Sequence, residues 1–389
     1  MAPSTFTSAF VALLSLTAAQ QIGKKEKHPK LATQKCTTGG GCVDQNTAIV
    51  LDAGSHQLLD IDTGKSCYNS SGGIDTSICS TAEECGTKCA YQGTNYKQNG
   101  VTTSGDSLHL QMYVRRQGKL TKASPRAYLL DEGSQEYVEM QLLNQELSFT
   151  VDMSNLPCGM NAALYLGAMD ADGGRSDINP AGATYGTGYC DAQCYVPTWL
   201  NGRLNTEGLG ACCNEMDVWE SNSRATGYTP HACNFQGFYG CSGDECAFEG
   251  VCDKYGCGYN PYALNKEKYY GLGSQFKVDT SKIMTVTTQF VSDNGAADGN
   301  LKEIRRVYRQ DGKVIKQATV SVDGKKYQSI TTPFCDATTS WDNEGGLPQM
   351  GRALARGMVL TFSIWNDDGE YSSSVDICES LLTLFARAS

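Results

Sequence analysis

IMTVTTQFV (283–291) and MVLTFSIW (358–365) decide the fold class. Both runs are crowded with β-branched and aromatic residues and show no helical period, the composition of strands packed into a core. The same signal recurs along the chain. From Ser107 onward Leu108, Leu110 and Met112 alternate with polar residues, and Leu147, Phe149 and Val151 do likewise. Long helical periodicity is nearly absent, and the short stretch around Met350 to Ala355 is the best helix candidate. Many strands joined by Gly-rich turns predict an all-β domain, a sandwich or jelly roll. Six cysteines between Lys30 and Cys89 (Cys36, Cys42, Cys67, Cys79, Cys85, Cys89) punctuate a Gly- and Ser-rich stretch that reads as loops and short strands held by bridges.

The first residues carry an apolar run from Phe10 to Leu16 and small residues ending at Ala19, the pattern of a secretory signal peptide over 1–19. Residues 20–389 then form one domain, without an internal repeat, a low-complexity linker or a second module. The run is too short to span a bilayer, so a secreted, extracellular protein with no membrane partner is expected. The formal charge of −10 disfavours nucleic acid, whose phosphates call for clustered Lys and Arg. All 18 cysteines follow the leader, an even number that predicts a disulfide framework. Cys190, Cys194, Cys212 and Cys213 could pass for a zinc set, but the oxidising route favours bridges, and no metal is expected. Asn69-Ser70-Ser71 is a glycosylation acceptor and marks a surface loop.

CCNEMDVWESNSR (212–224) places Glu215, Asp217 and Glu220 within six residues. Acidic residues normally sit apart on the surface, so this density inside an apolar-punctuated strand asks for a reason. Two carboxyls about 5–5.5 Å apart suit a retaining glycosidase, one attacking the anomeric carbon while the other protonates the leaving oxygen and then activates water. In a regular strand Glu215 and Asp217 share a face, whereas Glu220, five positions on, faces the other way. It returns to that face only if the strand bulges or twists between Asp217 and Glu220. A solvated acidic strand or a calcium site are the competing readings of the same letters.

CCNEMDVWE followed by TPHAC resembles the signature of glycoside hydrolase family 7, the fungal cellulases. HPKLATQKCTTGGGCV, GVTTSGDSL, SPRAYLLD, GYCDAQC, CAFEGVCDKYGCG and GMVLTFSIWND are similar to family segments in family order, over roughly residues 28 to 368. The resemblance implies a β-jelly roll of two curved antiparallel sheets with a substrate cleft on the concave face. It implies Glu215 as nucleophile, Asp217 as its assisting neighbour and Glu220 as acid/base. His231 of TPHAC matches a histidine near the +1 site. Asp191 and Gln193 of GYCDAQC and Tyr165 of ALYLGAMD match cleft residues, Trp365 of FSIWND a sugar-stacking tryptophan, and Arg126 of SPRAYLLD a cleft arginine. Resemblance and local spacing together suggest the bridges Cys36–Cys42, Cys67–Cys89, Cys79–Cys85, Cys190–Cys213, Cys194–Cys212, Cys233–Cys252, Cys241–Cys246, Cys257–Cys335 and Cys158–Cys378. Neither step of the reaction needs a metal or organic cofactor.

Only AFEGV separates Cys246 from Cys252, as in the family's endoglucanases; cellobiohydrolases carry a long roofing loop there. An open cleft and internal cutting of cellulose-like β-glucans by a monomer are therefore expected, with cellobiohydrolase-type exo action or a non-catalytic β-glucan-binding jelly roll as alternatives. LDAGSHQLLD (51–60) lacks the distant tryptophan of some members. The end of the chain, NDDGEYSSSVDICESLLTLFARAS, departs from the family's W-L-D segment and last strand, a loss expected to weaken the fold more than the chemistry.

Overall fold

The computed structural model describes residues 22–339 and 344–366. The leader, the divergent C-terminus and the Cys158–Cys378 pairing lie outside the described residues. Two antiparallel sheets dominate. The first, of eight strands, includes β1 (Thr47–Leu51) and β2 (Arg126–Asp131). The second, of five strands, opens with β3 (Glu146–Val151). The chain returns to the first sheet for β4 (Met160–Gly167), β5 (Glu215–Ser221) and β6 (Thr226–His231). Strands β7 (Met284–Ser292), β8 (Leu301–Gln310) and β9 (Lys313–Lys316) continue the second sheet, and β10 (Met358–Asn366) enters the middle of the first. The spatial orders are β1-β2-β10-β4-β5-β6 and β3-β7-β8-β9. The pairs β1-β2, β2-β10, β10-β4, β4-β5 and β3-β7 join strands far apart in sequence, as the crossovers of a jelly roll require, whereas β5-β6 and β7-β8-β9 pair in sequence order.

Strand β7 shows why these residues choose this structure. Met284, Val286, Thr288, Phe290 and Ser292 are buried, while the residues between them are half-exposed, a strict period of two. On its outer face Thr287 and Thr285 meet Ser148 and Thr150 of β3, with hydroxyl oxygens 2.9 and 3.0 Å apart. Such cross-strand pairs fix register on a face that water could otherwise reach. The inner face packs against the first sheet: Phe290, Ile304, Leu166, Met216 and Leu129 are fully buried in one core. A second cluster surrounds Trp219, whose ring meets Phe149 at 5.9 Å and Tyr308 at 6.4 Å edge to face.

Among the described residues three short α-helices decorate the sandwich: α1 (Ala82–Lys88), α2 (Thr332–Thr338) and α3 (Gly346–Arg356). The third contains the helix expected around Met350 to Ala355. The other two were not legible as periodicity because each is only seven residues long. Thr81 and Thr331 cap them by accepting from the backbone N–H groups of Glu84 and Phe334. Bridges anchor both, through Cys79–Cys85 and Cys257–Cys335. Eight of the nine expected pairings are present, with Cα separations between 3.9 and 6.3 Å. Cys190–Cys213 and Cys194–Cys212 therefore consume the four sulfurs of the zinc alternative. The one trio close enough to hold a metal among the described residues, Cys194, Cys212 and Cys241, consists of half-cystines.

Candidate active site

The parity problem in β5 is solved by a bulge. Strand β4 pairs Gly167 with Glu215, Tyr165 with Asp217, Leu164 with Trp219 and Ala163 with Glu220, so the register shifts by one residue at Val218. Strand β6 repeats the shift, pairing Asp217 with Thr229 and Glu220 with Gly227. The extra residue restores the phase of the strand. Val218 and Trp219 both enter the core, being 0% and 2% exposed, and Glu215, Asp217 and Glu220 all line the opposite face.

That face is the floor of a cleft of about 790 Å³. The register across the sheet sets Arg126 beside Ser363 and Ala163 beside Glu220, a row of residues running across the strands. Tyr165, Arg126, Gln193, His231 and Trp365 line the cleft with the three carboxyls. Asp191 stands apart. It is not a lining residue; its Oδ1 accepts from the N–H groups of Gln193 (2.9 Å) and Cys194 (3.0 Å) and closes a tight turn under the site. That turn aims the Ala192 N–H at Glu215 Oε2, 3.1 Å away.

Each carboxyl has a different environment. Glu220 accepts from Asn161 Nδ2 at 2.7 Å, and Asn161 Oδ1 accepts from the Ser221 N–H at 2.9 Å, so a wholly buried amide pins the end of the strand. Burial first and the Asp217 charge second push the Glu220 carboxyl up to about 8, against the opposing pull of His231 and Asn161. Glu215 is also raised well above its ordinary value by burial, then by the charges of Asp217 and Asp191, while His231 and the Ala192 N–H favour its anion. The cluster therefore holds at least one proton in the neutral range.

His231 is the compensating charge. Its Nε2 lies 3.0 Å from Asp217 Oδ2 and its Nδ1 3.0 Å from the Asp253 carbonyl oxygen. A backbone carbonyl can only accept and an ionised carboxylate can only accept, so both ring nitrogens donate and the ring is an imidazolium. Burial opposes that charge, but the Asp217 hydrogen bond and the charges of Asp217 and Glu215 outweigh it and raise the ring to about 10. The ring packs on Gly256, which has a φ of +67° and would place a Cβ 2.7 Å from His231 Nδ1. Gly256→Ala is expected to combine backbone strain with displacement of the imidazolium, lowering stability by about 1–3 kcal/mol. Thermal unfolding of the purified variant checks this, and an unchanged midpoint counts against it.

Asp52, Tyr189 and Lys254, which the sequence did not single out, complete the cleft around Arg126 and Gln193. Arg126 donates to Asp52 Oδ2 from Nε (3.2 Å) and Nη2 (3.0 Å), and its guanidinium lies 3.4 Å from the Tyr189 ring centre. Burial works against the Asp52 anion, yet the Arg126 charge and the Tyr128 hydroxyl hold its carboxyl below the usual range. Lys254 and Gln193 bracket the far wall, each donating to the other's carbonyl oxygen, at 2.5 and 3.0 Å. Asn161 had a legible signal, a polar residue on the parity of Ala163 and Tyr165, the buried cleft side of the strand MNAALYLG. Ala192 had none, because its donor is backbone.

Comparison with known proteins gives the family and the fold. The profile of glycosyl hydrolase family 7 matches residues 21–379. A probable endo-beta-1,4-glucanase celB of Aspergillus clavatus is 53% identical over 374 residues, covering 96% of this chain and 88% of the relative. Endo-beta-1,4-glucanase celB of Aspergillus oryzae is 52% identical over 370 residues, 94% of this chain and 88% of its own. The native endocellulase EGI of Humicola insolens superposes with a TM-score of 0.85 at 46% identity, over 90% of this chain and 88% of that one. With this match over nearly its whole length, the chain belongs to glycosyl hydrolase family 7.

Proposed function

We propose that this protein is a secreted, monomeric, retaining endo-β-1,4-glucanase that cuts cellulose and related β-glucans internally, its leader of residues 1–19 removed and residues 20–389 forming one catalytic domain. The observation that carries the reading is the Val218 bulge, which sets Glu215 and Glu220 on one face of one strand at the floor of the cleft. Glu215 attacks the anomeric carbon while Glu220 donates its proton to the departing glycosidic oxygen. The anionic form of Glu215 is favoured by the Ala192 N–H, and the neutral form of Glu220 by burial and by Asp217. Once the ester has formed, the Glu215 charge is gone and Glu220, now ionised, takes a proton from water. Asp217 and His231 act as a fixed ion pair beside the nucleophile. Arg126, Tyr165, Gln193 and Trp365 are the polar and stacking contacts for the sugar chain, and Asp191 acts from beneath by its charge on Glu215.

Endo action rests on the relatives' identity and on the short Cys246–Cys252 loop, since a cellobiohydrolase of Daphnia pulex shares the fold at a TM-score of 0.84 and 35% identity, over 90% of this chain and 86% of its own. The bridges Cys241–Cys246 and Cys233–Cys252 hold both ends of that loop. No helix among the described residues is long and apolar enough to cross a membrane. The test is viscosity against reducing sugar on carboxymethylcellulose: a steep early fall in viscosity per reducing end is expected, and reducing-end release without it overturns endo action. The first product anomer, followed by NMR, is expected to be β; an initial α-anomer excludes retention.

A further inference from the structure

Val218 is the one residue of β5 without a register partner on either neighbouring strand. Its carbonyl does not go unmet, because it accepts a hydrogen bond from Arg306 Nη2, which reaches across the core from β8 of the opposite sheet. Arg306 is 2% exposed and shares the inward face of β8 with Ile304 and Tyr308. Its Nε donates to Thr288 Oγ1 at 3.0 Å, and its guanidinium lies 4.3 Å from the Tyr228 ring centre and 5.5 Å from that of Trp219. Those two rings belong to the bulge itself, Trp219 as its second residue and Tyr228 between the partners of Asp217 and Glu220 on β6. No carboxylate among the described residues pairs with this cation.

A buried guanidinium without a counter-ion is costly, and a methionine or leucine would fill the same space without that cost. The two ring faces offset part of it, and a hydrogen bond from a charged donor is the stronger kind. All of these contacts converge on one backbone irregularity. We propose that Arg306 is a positioning residue for hydrolysis: it holds the Val218 bulge in the conformation that sets Glu220 on the cleft face in register with Glu215. It touches neither substrate nor the reacting atoms, and acts through the backbone of β5. The inference rests on the Glu215/Glu220 reading, since a displacement of the bulge matters to rate only if the spacing of those two carboxyls does. A misplacement of about 1 Å at a reacting pair can cost a hundredfold.

The experiment compares Arg306→Met and Arg306→Lys with the parent enzyme, with active sites counted by titration with a 2-deoxy-2-fluoro cellobioside so that unfolded protein is removed from the rate. The expected result for Arg306→Met is a kcat per titrated site on a soluble β-glucan reduced at least about tenfold, with KM within about twofold, because the cleft lining is intact. The alkaline limb of kcat/KM should also move, since the distance from Glu220 to Asp217 sets part of its proton affinity. Arg306→Lys, which can reach the carbonyl but cannot cover both rings, should fall between. A purely structural arginine would lower the melting temperature and the number of titratable sites while leaving kcat per site and the pH limb in place, and that result overturns the proposal. Where Arg306→Met yields no titratable sites, Arg306→Lys decides alone: an unchanged kcat per site and an unmoved limb reject it. A parent enzyme that releases no reducing ends would instead reject the glucanase reading, an outcome read before any variant is made.

Discussion

Glu215→Gln and Glu220→Gln are each expected to remove most turnover of a β-glucan polymer, by roughly a hundred- to ten-thousandfold, whereas Asp217→Asn keeps more. In the proposed mechanism Glu215 forms and later releases the bond to the anomeric carbon, and an amide cannot replace it in either step; Glu220 moves the proton in both steps, and Asp217 makes no bond to substrate. The Asp217 Oδ2 accepts from His231, and its charge acts on its two neighbours. An aryl cellobioside with a good leaving group separates the two glutamates. Such a substrate needs no proton to depart, so Glu220→Gln should still form the ester and then stall, giving a burst of phenol and a slow steady state. Glu215→Gln should show neither phase. Near-normal hydrolysis by Glu215→Gln would mean that the nucleophile lies elsewhere. A Glu220→Gln variant that is equally slow on activated and unactivated substrates would remove the acid role from that residue.

The spacing E-x-D-x-x-E already states that something irregular must happen between Asp217 and Glu220, because two carboxyls five apart cannot share the face of a flat strand. What it cannot state is which residue is extra. The register does, since Val218 has no partner while Trp219 still faces Leu164. The strands themselves were legible wherever one face is buried and the other half-exposed, as in β7, since burial on one side leaves a period of two in the letters. Strand β5 hides that period because it is buried on both faces, by core on one side and cleft walls on the other. Bridge pairings are not contained in spacing alone and came from resemblance to the family. Contacts made by backbone, such as Ala192 N–H to Glu215 and Arg306 to the Val218 carbonyl, leave no trace in residue identity. Arg306 itself could have been flagged, as a cation on the inward parity of LKEIRRVYRQ, between Ile304 and Tyr308.

The alkaline limb of kcat/KM is expected near pH 8, set by loss of the Glu220 proton from a cluster that titrates as a unit. Activity should then fall about tenfold for each further pH unit while His231, raised to about 10, still carries its charge. Asp217→Asn should move this limb toward lower pH. The charge of Asp217 raises Glu220 and the charge of His231 lowers it, and the first effect is the larger, so the direction holds even if His231 loses its proton along with its partner. The same shifts fix the sign of the stability change. A carboxyl whose folded value lies above its unfolded one binds more protons in the native state, so its contribution is fully present below the unfolded value of 4.5 and is lost as pH rises through the folded value of about 8. Glu215, raised by burial, works in the same sense. His231 adds stability that is complete below its unfolded value of 6.5 and disappears as pH approaches 10. All three therefore favour the acidic side, and the melting temperature should fall from pH 5 to pH 8. Glu220→Gln, which cannot titrate, should flatten that fall while leaving the His231 part above pH 7. A melting temperature that rises from pH 5 to pH 8 would show that folding does not raise the proton affinity of this cluster, and an alkaline limb that Asp217→Asn moves upward would show that the Asp217 charge does not raise that of Glu220.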